Sequence, residues 1–315
     1  MRTVSIGINR RCPLRCKHCS VGFSETYHGD KGEIDLGVLE SVIAQLDPRT
    51  YEMVLLVGGE PSLSPALIRA AIAGCKARGL LCAIATAPVW ARTPAAAERF
   101  LSSVPGLDIQ ILSYDDYHLE SLTFMEYLRA TVAARDRGVG TVVHVTHSTD
   151  EERDRLLSSL AILDGSLLQI STMRTVPVGN AALPGNVHFD QVRVDSVADL
   201  KRIPRGCVAG NAFIDERQGV HGCCWSVACR HSPITVPAHA PAPVGARLES
   251  LESREVFEVL RSRGLVDGLT ERGKALVAAR LGGRSFANEC HLCVALMNEE
   301  NRAIWEECRV GVQTQ

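Results

Sequence analysis

Short apolar runs recur through the first half of the chain: TVSIGIN (3–9), MVLLVGG (53–59), LCAIAT (81–86), DIQILS (108–113), TVVHVTH (141–147) and LLQIST (167–172). They are continuous rather than alternating, which predicts parallel strands buried on both faces. Between the first two, DLGVLESVIAQL repeats apolar residues at Leu36, Leu39, Val42, Ile43 and Leu46 behind Asp35, the pattern of a capped amphipathic helix. Ser64 with Pro65 opens the next helix and Gly79 closes it. Strand followed by helix, repeated, predicts an α/β fold, a partial (β/α)6 parallel barrel with right-handed crossovers.

The rhythm stops near residue 185, which divides the chain into a barrel over 1–185 and a smaller domain over 186–315. Within the second part, PITVPAHAPAPVGA (233–246) reads as an exposed extended connector, and LESREVFEVLRSRG and LTERGKALVAARLGG read as helices.

The chain has 315 residues, with 34 lysines and arginines against 36 aspartates and glutamates. That balance gives no reason to expect a nucleic acid or an acidic membrane as partner, and points to a small or neutral one. The first residues lack a signal-peptide pattern and no apolar stretch approaches the length of a membrane span, so a cytoplasmic protein is expected. Nine of the twelve cysteines cluster, at 12–19, 207–229 and 290–293. In the cytoplasm, clustered cysteines bind metal or do redox work more often than they form disulfides. Cys75 and Cys82 stand apart in apolar patterns and read as core.

Parallel α/β sheets carry their chemistry in the loops at the carboxyl ends of the strands. RRCPLRCKHCS (10–20) follows the first strand, GGEP (58–61) ends the second, SYDDYH (113–118) ends the fourth and STMRTVPVGN (171–180) ends the sixth. Cys12, Cys16 and Cys19 are one ligand short of a closed zinc site, and His18, inside their loop, is poorly placed to complete it. A cubane 4Fe-4S cluster on three thiolates fits better, because it leaves one iron open to an outside ligand.

At these residues the sequence resembles the radical S-adenosylmethionine (SAM) enzymes, whose CxxxCxxC loop Cys12, Cys16 and Cys19 reproduce, with His18 as the aromatic residue before the last cysteine. The resemblance implies that SAM chelates the open iron and is cleaved by one electron to a 5'-deoxyadenosyl radical that abstracts a substrate hydrogen. It implies that Gly58, Gly59, Glu60 and Pro61 lie along the SAM methionine group, that Ser113 of a Ser-x-Asp segment reaches the SAM ribose or carboxylate, and that Arg174 of an Arg-x-x-Pro-x-Gly segment meets a carboxylate. It also implies a flavodoxin- or ferredoxin-type electron donor.

The second cysteine group resembles the twitch domain, half of the SPASM pattern, over roughly 205–310. That resemblance implies one auxiliary 4Fe-4S cluster on Cys207, Cys224, Cys290 and Cys293. Cys223 adjoins Cys224 and only one is expected to ligate; the spacing from Gly219 favours Cys224. A zinc site stays open for this group, because CxxC is also a zinc signature.

Family members of this layout include a dehydrogenase of an aminocyclitol alcohol and epimerases of sugar antibiotics. Spare cysteines beside the auxiliary site favour epimerisation of a carbinol carbon, with Cys223 or Cys229 as hydrogen donor. Dehydrogenation, with the auxiliary cluster as electron acceptor, would need a base for the hydroxyl proton, which Asp115, Asp116 or His118 could supply. The chain begins two residues before its first strand, which disfavours a peptide-modifying maturase and leaves a small sugar-like substrate as the expectation. A non-catalytic iron-sulfur or zinc protein would give GGEP and the Arg174 segment no role.

Overall fold

The computed structural model describes residues 2–20, 32–162, 168–205 and 211–308. The chain divides into two compact units, one of residues 1–175 with 179–187, the other of residues 176–178 with 188–315.

The first unit is a parallel sheet of six strands in sequence order: β1 (Thr3–Asn9), β2 (Met53–Gly58), β3 (Leu81–Thr86), β4 (Ile109–Tyr114), β5 (Gly140–His147) and β6 (Gln169–Arg174). Around them run α1 (Leu36–Ala44), α2 (Pro65–Ala77), α3 (Pro94–Ser103), α4 (Asp116–Leu119), α5 (Phe124–Arg135) and α6 (Asp150–Leu160). This is the α/β parallel architecture of a partial (β/α)6 barrel. A register row runs through Ile6, Leu56, Ile84 and Gln110, which lines up the carboxyl ends of the strands on one rim. Gln110 is fully buried there because its Nε2 donates to Ala130 O and Thr141 Oγ1.

Local chemistry explains the helix starts. Asp35 accepts from Val38 N at 3.1 Å and caps α1, whose Leu39, Val42 and Ile43 face the core. Helix α2 begins at Pro65, and Gly79, at φ +73°, turns the chain out of it. Ser64 precedes it without capping it: its hydroxyl accepts from Asn9 Nδ2 and donates to Glu33 Oε1. Cys75 and Cys82 are fully buried.

One strand departs from the sequence expectation. β6 is not buried on both faces; Gln169, Ile170 and Thr172 are exposed, Ile170 by 45 %. Among the described residues it pairs with β5 alone, at the edge of the sheet, so its apolar residues reflect strand propensity more than core burial.

The second unit is assembled from short pieces: β7 (Val192–Arg193), α7 (Val197–Leu200), β8 (Ala212–Ile214), β9 (Val220–His221), β10 (Thr235–Val236), α8 (Val244–Glu252), α9 (Glu255–Arg263), α10 (Leu265–Gly268), α11 (Glu271–Leu281), β11 (Ser285–Phe286), α12 (Glu289–Asn298) and α13 (Arg302–Glu306). β8, β9 and β10 pair antiparallel in order, and β7 pairs with β11. The stretch read as a connector is therefore in part a strand: Ile234 is fully buried and Thr235 pairs with His221. The first predicted helix is two, broken where Ser253 closes α8 and Arg254 turns extended, its guanidinium donating to Pro233 O. Thr270 caps α11 through Gly273 N. Among the described residues, no helix is long and apolar enough to cross a membrane.

Candidate functional site

The loop after β1 carries Cys12, Cys16 and Cys19, all half-buried, and other segments of the rim hold its backbone. The GGEP segment grips its start: Gly59 N donates to Asn9 O and Glu60 N to Arg11 O. A Cβ on Gly58 would stand 2.4 Å from Asn9 O, and one on Gly59 only 2.1 Å from Arg11 O. The close approach these glycines permit is thus to the chain's own backbone. The segment after β6 grips the loop's end, where Asn180 N donates to Cys19 O at 2.8 Å and Asn180 Nδ2 to Cys16 O at 3.3 Å. Gly179, at φ +57°, lies so near that a Cβ would meet Ser20 O at 2.3 Å.

Glu60 turns its side chain inward. Its buried carboxylate accepts from Thr86 Oγ1, Ala87 N and Ser62 N, tying the GGEP turn to the end of β3. Burial raises its pKa against those hydrogen bonds. Pro61, also buried, starts the 3-10 turn Pro61–Leu63 that Glu60 caps. Both residues shape the turn from within.

At the end of β4, Ser113 pairs in register with His144 of β5, and its carbonyl accepts from Tyr127 OH. Asp115 is fully buried. It caps α4 through His118 N, holds His118 Nδ1 at 2.7 Å and faces His18 Nε2 at 3.3 Å. Burial pushes its pKa up, but the two histidines outweigh that and hold it well below the usual carboxylate range. Burial pulls His118 down, but Asp115 and then the Cys16 sulfur outweigh it, so its pKa stands well above the ordinary histidine value. His18 stacks on Tyr117 with ring centres 4.8 Å apart. The geometry does not suit Asp115 and His118 to the role of substrate bases: the carboxylate is enclosed and committed to two imidazoles. Asp116, beside them, is half-buried and paired with Arg155.

Arg174 at the end of β6 is turned to the protein's own carboxylate, Asp150, at 2.6 Å, with Ser148 O as a second acceptor. A cosubstrate carboxylate would have to compete with that ion pair. Asn180 was missed from the sequence, as were Asn9 and Ser64, which lock the GGEP turn to β1. The VGN after Arg174 was the visible signal for the first.

Three cysteines on one loop suit a cluster that takes three thiolates and leaves one iron open. Tetrahedral zinc-thiolate geometry places sulfurs about 3.8 Å apart. Among the described residues, the group of three potential ligands drawn within 4.8 Å of one another is Cys16, His18 and His118; the three cysteine sulfurs form no such group. Burial, with Glu60 and the neighbouring thiols adding to it against a backbone hydrogen bond from Leu14, pushes Cys12 up to about 12. Three thiolates side by side need a polycation to stabilise them, which a wider iron-sulfur core supplies.

In the second unit the cysteines sort differently from the sequence expectation. Cys223, Cys290 and Cys293 line one small apolar pocket with Trp225, Leu260 and Met297, whereas Cys224 is exposed. Cys223 is extended (φ −158°, ψ 141°) and the 3-10 turn Cys224–Ala228 begins after it, which places Cys223 in the pocket wall. The pocket wall thus takes Cys223, whereas the spacing from Gly219 favours Cys224 as a ligand. Cys229, half-buried, donates from Sγ to Trp225 O at 3.4 Å; burial and then Cys223 push its pKa up to about 12. Cys207 lies outside the described residues.

Residues 6–160 match the family model of the Radical SAM superfamily. The fold resembles native anSMEcpe with bound AdoMet at TM-score 0.57 and 12 % identity, over 98 % of this chain and 95 % of that one. Methylornithine synthase (PylB) aligns at TM-score 0.46 and 14 % identity over 59 % of this chain, which spans little more than half, 56 %, of that one. BtrN in complex with AdoMet and 2-DOIA aligns at TM-score 0.35 and 12 % identity, over 90 % and 92 % of the two chains. No curated protein matches the chain.

Proposed function

We propose, from the match of residues 6–160 to the Radical SAM superfamily model, that the chain is a radical SAM enzyme that inverts a carbinol carbon of a sugar- or cyclitol-type molecule. Cys12, Cys16 and Cys19 would hold the 4Fe-4S cluster. The cluster with SAM supplies one-electron cleavage of a sulfonium and a 5'-deoxyadenosyl radical that removes hydrogen from carbon.

The observation that carries the stereochemical reading is Cys229. A donor of hydrogen to a carbon radical must be a thiol and not a thiolate, and Cys229 keeps its proton: it is half-buried, hydrogen-bonded to Trp225 O, and its pKa is pushed up to about 12. Cys223 belongs with Cys290 and Cys293 instead, as ligands, together with Cys207, of the auxiliary cluster of a twitch domain. Giving up its hydrogen atom leaves Cys229 a thiyl, which one electron and one proton return to the thiol. The partners of this reading are a small sugar-like substrate and a flavodoxin- or ferredoxin-type donor.

The grouping of three cysteines around one pocket also favours a second reading, dehydrogenation, in which the substrate radical passes its electron to the auxiliary cluster. Incubation of reconstituted protein with SAM, reductant and a panel of sugars and aminocyclitols in deuterated water separates the two. A product about one mass unit heavier, with deuterium on a non-exchanging carbon and lost in Cys229→Ala, supports inversion. A product about two mass units lighter that survives Cys229→Ala contradicts it.

A further inference from the structure

The sheet of the first unit has two unlike faces. One carries the buried row Ile6, Leu56, Ile84 and Gln110, and Gln110 bonds Ala130 O of α5, so this is the face the helices cover. On the opposite face the register brings together two rows of half-buried residues: Ala85, Ile111 and Val142, and beyond them Ser113, His144 and Ser171. Among the described residues, the six strands place no charged side chain on this face. His144 Nδ1 meets Ser171 Oγ at 2.7 Å, which fixes the ring. Among the described residues Nε2 has no hydrogen-bond partner, and it is not one of the enclosed atoms left without one, so it stays accessible.

We propose that this face binds the ring of an uncharged sugar or cyclitol, with His144 Nε2 hydrogen-bonded to one of its hydroxyls and Ala85, Ile111 and Val142 under its C–H face. The inference rests on the proposed function for its ligand class, and names the residue that fixes the ring. The two rows stand two residues apart on each strand, about 7 Å, which is the span of a six-membered ring with a hydroxyl at its edge. A hydroxyl both gives and accepts a hydrogen bond, so it pairs with Nε2 whichever tautomer the Ser171 contact selects. A phosphorylated or carboxylated ligand would enter this face without a counter-charge, whereas a neutral polyol needs only hydrogen-bond partners. Asp115 and His118 are turned to one another, but His144 keeps a nitrogen for a ligand.

The experiment is nuclear magnetic resonance of the iron-loaded protein carrying histidine labelled with the heavy nitrogen isotope, the His144 ring signals being assigned by their absence from His144→Gln. SAM is added first, then myo-inositol, D-glucose or N-acetylglucosamine. At least one of these polyols should move the Nε2 signal saturably and more than the Nδ1 signal. Followed by the polyol's own proton signals, its binding should weaken about tenfold in His144→Phe, as expected for one lost hydrogen bond. His144→Gln, which restores a donor and an acceptor, should recover part of that loss. Equal affinity in wild type and His144→Phe overturns the proposal, as does an Nε2 signal that none of the three polyols moves. An Nε2 shift on adding SAM that no polyol changes further assigns His144 to the cosubstrate and also overturns it. A polyol bound through Nε2 in a protein that forms no 5'-deoxyadenosine from SAM and dithionite would sink the inversion reading and leave the ring site standing.

Discussion

Asn180 and Cys16 stand 164 residues apart, yet the Asn180 carboxamide donates to the Cys16 carbonyl at 3.3 Å while the Asn180 backbone N–H donates to Cys19 O. The end of the cysteine loop is thus set by the segment that follows the last strand of the sheet. Gly179 makes that approach possible, since any Cβ would meet Ser20 O at 2.3 Å. Gly179→Ala is expected to lose most of the SAM-responsive iron while keeping the helical content of the wild type. Asn180→Ala removes one neutral hydrogen bond, about 1 kcal/mol, and should slow reconstitution with a smaller loss of iron. Iron analysis beside far-ultraviolet circular dichroism checks both.

Glu60 joins the GGEP turn to the end of β3 through three accepted hydrogen bonds. Glu60→Ala leaves Ala87 N, Ser62 N and Thr86 Oγ1 without that acceptor, at a cost of about 3 kcal/mol. Urea unfolding should show the midpoint fall, with Glu60→Gln, which keeps one acceptor oxygen, falling less. Equal stability of Glu60→Ala and wild type would mean that the carboxylate does not hold the turn.

The sorting of Cys223 and Cys224 has a direct chemical readout. Under anaerobic conditions, the reconstituted protein should be alkylated by iodoacetamide at the exposed Cys224, with Cys223, Cys290 and Cys293 protected, and removal of the iron should open those three to reagent. Protection of Cys224 with labelling of Cys223 would return the ligand role to Cys224.

Asp215 in the second unit gives a pH prediction with a definite sign. Its carboxylate accepts from Arg217 N, Gly219 N and His221 Nε2, closing the turn between β8 and β9. Burial raises its pKa, but the His221 and backbone hydrogen bonds outweigh that and hold it below 3.8. A depressed folded pKa means stability that is complete above about pH 4 and lost as pH falls through the folded value. Asp215→Asn should cost about 1–2 kcal/mol at neutral pH and flatten the loss of stability below about pH 4, read by thermal unfolding across pH 3–7.

The barrel was legible in the sequence because its signals are long and repeated. Six apolar runs and the Asp35, Pro65 and Gly79 punctuation each map onto an observed strand or helix end. The second unit was not, because strands of two or three residues such as Val220–His221 are too short to show a period. At the site, residue types could be read but side-chain direction could not. Asp115 and His118 carry the chemistry of bases, and only the fold shows that they face each other and that His118 lies near Cys16. Cys223 and Cys224 are chemically identical neighbours, separated only by where the turn after Cys223 begins.

The most direct measurement is 5'-deoxyadenosine formed from SAM by anaerobically reconstituted protein with dithionite, for wild type and Cys16→Ala. We expect the product from wild type and its loss in Cys16→Ala at retained fold. No 5'-deoxyadenosine from an iron-loaded wild type, or equal amounts from both proteins, would contradict a SAM-cleaving cluster on Cys12, Cys16 and Cys19.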